Sequence, residues 1–370
     1  HGKGIFHKGS IDGKELGNKR VFWIEPNTLV VNIVFAWERA IAVTSDSEKG
    51  MIASHRFPMY LPKKNLSNVN FLRYFFVTNK GQKYLELASP GGAGRNKTLG
   101  QSNFAELKID LPSLKEQTKI ANFLSAVDEK ISQFNQKHAL LSQYKQGMMQ
   151  KLFSQQIRFK ADDGCEFGDW RKVKFSESFV FHNTNSYSRA LLAEVGEVMN
   201  IHYGDIHTKF SMLFDVSKEI VPFLNDQIDF TKIAENQFLK EGDLVIADAS
   251  EDYKDIGKAI EVVHLNNQKV VAGLHTYIAR PVQPFALGFC GYLMQTFEVR
   301  EQIKKLATGI SVLGISKTNI GKVEIKLPCL EEQTKIANFL SSIDQKIDVV
   351  SEQLEQAKLW KKGLLQQMFV

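Results

Sequence analysis

Apolar side chains recur along two stretches of the chain in alternating steps of four and three. The first stripe runs through Ile120, Leu124, Val127, Ile131, Phe134, Leu141, Met148 and Leu152, with His138 and Lys145 on the same row. The second runs through Ile336, Leu340, Ile343, Ile347, Val350, Leu354, Ala357, Leu364 and Met368, with Lys361 on the row. This spacing is a heptad seam, and it predicts two long amphipathic helices that pair side by side. A helix of roughly 38 residues is about 57 Å long at 1.5 Å per residue. Between the stripes the pattern changes. Short apolar runs at 243–248, 259–263 and 270–272, bounded by Gly, Asp and Asn, predict strands. Residues 288–305, with Leu293, Phe297, Val299 and Ile303 at helical spacing, predict a helix.

The two helical stretches are one sequence written twice. Ile-Asp-Leu-Pro-Ser-Leu-Lys-Glu-Gln-Thr-Lys-Ile-Ala-Asn-Phe-Leu-Ser, from Ile109, returns 216 residues later as Ile-Lys-Leu-Pro-Cys-Leu-Glu-Glu-Gln-Thr-Lys-Ile-Ala-Asn-Phe-Leu-Ser, from Ile325. The offset holds without a gap as far as Phe153 and Phe369, and 21 of these 45 paired positions are identical, so the protein consists of two similar halves. Leu-Pro opens each copy, as suits a residue tolerated only at a helix start. Ser113 with Glu116 has the spacing of a capping box, and Cys329 replaces that serine in the second copy, which predicts a weaker cap there. Lys145 and Lys361, each two residues before a glycine, are expected to mark where the helices splay or where their register is fixed. His138 reads as a structural or rim histidine.

The 171 residues from 154 to 324 read as mixed α and β, and the first half repeats them faintly. Residues 52–62 parallel 271–281, and Arg39-Ala-Ile41 parallels Lys258-Ala-Ile260. Only 108 residues precede the first helix, so the chain is expected to start inside its first domain, about 60 residues short of the second. The boundaries follow: 1–110 for a first domain lacking its N-terminal part, 111–157 for a first helical spacer, 158–326 for a second domain and 327–370 for a second spacer.

Charge separates the halves. Residues 1–108 carry 16 basic and 8 acidic groups, whereas residues 161–324 carry 17 and 23. A polyanion such as DNA is drawn to the first half by bulk field, and the second half needs local basic patches or a partner. No run of about 18 apolar residues is present, as a membrane span would require. Cys165, Cys290 and Cys329 are scattered and odd in number, with neither a disulfide framework nor zinc-site spacing. A reducing cytoplasm is the expected compartment, without a membrane or a metal.

Catalytic signatures are mostly missing. There is no Asn/Asp-Pro-Pro-Tyr tetrad and no methyl-donor glycine motif; Phe285-Ala-Leu-Gly-Phe-Cys-Gly291 has its glycines at the wrong spacing. Gly309-Ile-Ser-Val-Leu-Gly314 has the glycines of a phosphate loop, with Ile315 where the lysine belongs. Asp243 followed by Asp252-Tyr-Lys254 mimics the acidic pair and lysine of a metal-dependent nuclease, although Gly242-Asp243 reads more simply as a turn into a strand.

Base-reading chemistry fits better, because Arg, Lys, Asn, His and Tyr on loops of a rigid scaffold contact bases and phosphates. In the first half the candidates are Arg56, Lys63, Lys64, Arg95, Asn96 and Lys97, the last three on the loop Gly91-Gly-Ala-Gly-Arg-Asn-Lys97. In the second half they are Tyr203, His207, Lys209, Lys254, His275, Lys317 and Asn319.

Leu-Pro-x-Leu-x-Glu-Gln-x-x-Ile-Ala-x-Phe-Leu opening a long helix, present twice after two mixed α/β units, resembles the specificity subunit of type I restriction-modification systems. The likeness extends along the chain, including Tyr203-Gly-Asp-Ile206 and Trp170. It implies an α+β fold with two target-recognition domains on an antiparallel coiled coil, each reading one half of a split, asymmetric site in double-stranded DNA. It further implies that the helices set the spacing and dock two methyltransferase subunits, with restriction and translocase subunits joining. This chain would be non-catalytic and bind no cofactor, with S-adenosylmethionine, ATP and magnesium on the partners. Two rival readings are a stand-alone metal-dependent nuclease and a coiled-coil scaffold without DNA specificity.

Overall fold

The computed structural model describes residues 2–91 and 97–369. Contacts divide the chain into two units, His1–His138 with Val349–Val370, and Ala139–Asp348. Both divisions fall within the predicted helices, which are present as Leu114–Phe153 and Leu330–Met368. Each unit therefore holds the beginning of one long helix and the end of the other.

Within each unit the two helical parts run antiparallel. In the first, Ala121 and Leu124 share a core with Phe369, and farther along Asp128 pairs with Lys361. In the second, Lys145 pairs with Asp344 at 2.5 Å, and farther along Leu152 shares a core with Ile336 and Leu340. The seam predicted from the heptads is the inward face. Leu124, Val127, Leu152, Ile336, Leu340, Ile343, Val350 and Leu354 are buried, and Ile120, Ile131, Phe134, Leu141, Met148, Ile347 and Leu364 are half-buried. Lys145 and Lys361 form ion pairs across the seam, which assigns them to register rather than to splaying.

In the first unit Leu29–Val31 lies between Ile41–Val43 and Met59–Tyr60 in an antiparallel three-stranded sheet. Helices Val69–Phe76 and Asn79–Leu87 follow, and Phe71, Tyr74, Phe75, Phe76 and Leu85 fill the core beneath. The second unit repeats this plan within a larger one. Leu244–Ala247 lies between Ala259–His264 and Thr276–Pro281, again antiparallel, at the centre of a five-stranded sheet. Leu213–Asp215 adds to one edge in parallel and Phe179–His182 to the other. A four-stranded sheet ordered Lys269–Ala272, Val198–Ile201, Phe223–Leu224, Leu192–Ala193 completes it. The central strands are buried on both faces, which is why 243–248 and 259–263 read as continuous apolar runs rather than alternating ones.

The segment 288–305 is two helices, Phe289–Met294 and Phe297–Leu306. Thr296 leaves the helical conformation and its side chain accepts the Val299 N–H, so the second helix starts on a side-chain cap. Thr78 caps Asn79–Leu87 in the same way in the first unit.

The repeated Glu-Gln pair has a structural meaning. The buried side chain of Gln117 donates to the Pro112 carbonyl at 2.9 Å and accepts the Asn68 N–H at 3.0 Å. Gln333 does the same with the Pro328 carbonyl at 3.0 Å and the Ala286 N–H at 3.1 Å. Each glutamine joins the start of a long helix to the loop before a domain helix. Ser113 accepts the Glu116 N–H at 3.3 Å, as its cap spacing predicts. Glu332, beside the second glutamine, accepts Arg158 at 2.8 Å and the Trp170 indole N–H at 3.0 Å.

Candidate nucleic-acid interface

In the first unit the turn carrying Arg56 and the segment carrying Lys97 meet at one backbone position. Ile33 donates its N–H to the Arg56 carbonyl at 3.0 Å, and its own carbonyl accepts the Leu99 N–H at 2.8 Å. The turn carrying exposed Arg56 is thus held beside the segment carrying Lys97, whose ammonium lies 5.6 Å from the centre of the Trp37 ring. Lys63 and Lys64 are exposed on the turn after Met59–Tyr60, and Lys63 is fixed through its N–H to Ser67 Oγ at 3.0 Å. Arg95 and Asn96 lie outside the described residues.

In the second unit Tyr203 is the hub of an aromatic group. Its ring centre is 4.6 Å from that of His202, 5.4 Å from His275 and 6.3 Å from His207. His207 Nε2 lies 2.9 Å from the Ala249 carbonyl and so carries a proton, and its buried Nδ1 has no partner among the described residues. His275 has a left-handed backbone, φ 58°, and its Nδ1 is 3.2 Å from Asp248 Oδ1. Lys317 lies 5.3 Å from the Tyr277 ring centre and donates to Asn183 Oδ1 at 3.1 Å. Burial pushes the Tyr277 hydroxyl up to about 12, and the nearby Asp248 carboxylate acts in the same direction. Tyr203, His207, His275 and Lys317 are therefore brought together around Asp248 and Ala249.

The remaining candidates are placed differently. Lys209 and Arg189 both contact buried Asp205, at 3.0 and 2.9 Å. Burial raises the Asp205 carboxyl, but the two cations outweigh it and hold the group below its ordinary value. Burial lowers the neighbouring His202, so its imidazole stays neutral and accepts the Gly204 N–H. Lys254 is exposed on the turn after Ala249–Ser250. Asn319 builds a corner instead: its amide donates to the Leu306 carbonyl at 3.0 Å, and its oxygen accepts Lys322 Nζ at 3.2 Å.

Sequence reasoning missed Asp248, Asn183 and Tyr277, which no local motif marks. It also missed what the phosphate-loop lookalike is. Thr308 and Gly314 pair as a bridge that closes the loop between them, and Ile310 at its tip is fully exposed. Gly309 has φ 126°, and a Cβ there would lie 2.1 Å from the Val312 carbonyl oxygen, so the turn requires glycine. The Ile315 N–H donates to the Asp248 carbonyl, as the Leu99 N–H donates to Ile33, and these two residues stand 216 apart. The loop 309–314 is therefore the counterpart, by sequence register, of the segment containing Arg95 and Lys97.

The acidic pair of the nuclease reading is not assembled. Asp243 is buried and held by Arg280 through contacts of 2.9 and 2.7 Å, whereas Asp252 lies beyond the opposite end of strand Leu244–Ala247. Among the described residues no group of three His, Cys, Asp or Glu side chains is arranged to hold a metal ion, and no helix is long and apolar enough to cross a membrane.

Comparison with known proteins agrees with this architecture. The chain is 28% identical over 274 residues to the type I restriction enzyme MjaVIII specificity subunit of Methanocaldococcus jannaschii, covering 71% of this chain and 61% of the relative. It is 24% identical over 315 residues to the putative type I restriction enzyme MjaX specificity subunit of the same organism, covering 82% and 68%. Among solved structures, the S subunit of a type I restriction-modification system from M. genitalium superposes with a TM-score of 0.58 at 15% identity, covering 93% of this chain and 83% of that one, which supports the same fold. The profile for the type I restriction modification DNA specificity domain matches residues 27–143 and 168–359, and the chain accordingly belongs to that family.

Proposed function

We propose that this chain is the DNA sequence-specificity subunit of a type I restriction-modification complex, in which each recognition domain reads one half of a bipartite, asymmetric site. The observation that carries the reading is the duplication: the same strand order, the same threonine-capped helix and the same glutamine dock occur twice, once in each unit. A single site reader needs one such scaffold. Two copies on paired helices suit two half-sites with an unread gap.

In this reading residues 1–110 and 158–326 are the two readers, and 111–157 and 327–370 are the spacers. Arg56, Lys63, Lys64, Arg95, Asn96 and Lys97 face DNA in the first reader. Tyr203, His207, His275 and Lys317, with Lys209 and Lys254 at the margin and the 309–314 loop beside them, face it in the second. The helix pair docks two methyltransferase subunits, and restriction subunits join them. S-adenosylmethionine, ATP and magnesium reside on those partners, in the cytoplasm.

The test is single-molecule sequencing of methylated DNA from cells with and without the subunit. A methylated motif of two short defined sequences separated by a fixed undefined gap, present only with the subunit, is the expected result. A motif that persists without the subunit contradicts it.

A further inference from the structure

Both units contain the same three-way junction, built from residues that stand 216 or 218 positions apart. In the first, Asp128 of the first long helix accepts the Tyr74 hydroxyl at 2.7 Å and pairs with Lys361 of the second long helix. In the second, Asp344 of the second long helix accepts the Tyr292 hydroxyl at 2.7 Å and pairs with Lys145 of the first at 2.5 Å. The tyrosines belong to the domain helices Val69–Phe76 and Phe289–Met294. Each lysine also lies near its tyrosine ring, 5.7 Å from the Tyr74 centre and 5.2 Å from the Tyr292 centre. One carboxylate thus joins a recognition domain, the helix that leaves it and the returning end of the other helix.

The junctions differ in kind from the contacts around them. Apolar seams are non-directional and tolerate sliding and rotation, whereas a charged group on a seam fixes register and a hydroxyl-to-carboxylate bond fixes direction. Both tyrosines are essentially buried, and the acidic and basic side chains are only about a quarter exposed, so these are not solvated surface pairs. Burial lifts the Tyr74 hydroxyl to about 12 and the Tyr292 hydroxyl higher still, with the partner carboxylate acting the same way, so both remain protonated donors. Replacing a desolvated polar cluster by packed apolar groups is often neutral or stabilising, whereas removing one partner strands the other, so net stability alone does not account for such a cluster.

We propose that the Tyr74–Asp128–Lys361 and Tyr292–Asp344–Lys145 clusters are positioning residues: each locks the angle of one recognition domain on its helices together with the register of those helices, and so fixes the gap length that the complex accepts. This rests on the bipartite-site reading above. The apolar seam holds the helices together, and the junction selects one setting of them.

The test uses the full chain assembled with methyltransferase subunits and carrying Tyr292→Phe, Lys145→Met or Asp344→Asn. Methylation is mapped across sites whose gap is correct or one base pair longer or shorter. Loss of one charge-assisted bond is expected to raise methylation at off-length sites about tenfold relative to correct ones, with both half-site sequences retained. Unchanged discrimination in all three variants overturns the proposal, and so does a uniform fall at all sites with a lowered melting temperature, because a purely structural role gives that result. Should Asp344→Asn fail to fold, Tyr292→Phe decides, since it keeps the ring and removes only the hydroxyl. A second arm needs no DNA: spin labels at Glu241 and Gln345, in a Cys165→Ser, Cys329→Ser background, report the domain-to-helix distance. A broader distribution in Tyr292→Phe supports the lock and an unchanged width overturns it, even where the methylation map of the parent protein shows no bipartite site and the functional reading itself fails.

Discussion

Gln117 and Gln333 show how one side chain ties a sequence motif to a fold. Each amide bridges the proline carbonyl that opens its long helix and an N–H of the adjoining domain, in a site closed to water. Removing such a buried bridge leaves a donor and an acceptor unpaired, so Gln333→Ala is expected to cost about 1–3 kcal/mol in urea denaturation; an unchanged midpoint would show that the bridge is incidental. The candidate interface makes a different demand. Arg56 is exposed on an anchored turn, and Arg56→Ala is expected to weaken binding of the assembled complex to all sequences alike and to reduce the salt slope by about 1. Asn319→Ala is expected to lower stability and leave DNA affinity unchanged, because its amide groups are engaged at the Leu306 corner; a titration showing the reverse would return Asn319 to the interface. The sequence reading placed Tyr203, His207, Lys209, Lys254, His275, Lys317 and Asn319 in one set, of which Tyr203, His207 and His275 are ring neighbours and Lys209, Lys254 and Asn319 lie in other surroundings. It could not find Asp248 or Asn183, because only tertiary folding brings them to partners 27 and 134 residues away in sequence. Asn319 lies inside the short capped helix Lys317–Gly321, and its engagement at the Leu306 corner is set by tertiary packing that a short polar segment does not display.

At the scale of elements, periodicity was the strongest signal. The heptads gave both long helices and their buried faces, since a 40-residue helix accumulates many repeats of its pattern. Strands Leu244–Ala247 and Ala259–His264 were legible from apolar runs between turn residues. The break at Thr296 was not, because the apolar spacing continues across it while the capping threonine interrupts the backbone. Strand Ala259–His264 also carries the buried Glu261, whose carboxylate accepts the N–H groups of Gly288 and Gly291 at 2.7 and 2.6 Å beside helix Phe289–Met294. Burial pushes this group up to about 7 from an ordinary 4.5, against the opposing pull of those amides. The folded state therefore keeps a proton that the unfolded chain releases, so this contribution is full below about pH 4.5 and is lost as the pH rises through about 7. Glu48 has the opposite sign. Ser47, Ser45 and His7 hold it at about 2 despite burial, so its contribution is present above about pH 4.5 and lost as the pH falls towards 2. Denaturation from pH 4.5 to 7 is expected to show a declining Glu261 contribution that Glu261→Gln removes; identical pH profiles for the two proteins would contradict it.

For the whole molecule the informative quantity is the 216-residue period. It relates the two Leu-Pro and Glu-Gln segments in sequence, and in the structure it relates two glutamine docks, two ion pairs and two loop anchors. The larger plan of the second unit was less legible. Its four-stranded sheet is made of strands of two to four residues, too short for a periodic signal and defined by pairing rather than by local pattern. The central claim is that paired helices hold two readers at a set distance, so the gap in the DNA site follows helix length. Its most direct test is removal of one turn from both helices, residues 134–137 together with 350–353, followed by mapping of methylated sites with the assembled complex. The two half-site sequences should persist while the undefined gap between them changes length. An intact complex that methylates sites with the original gap would contradict the account.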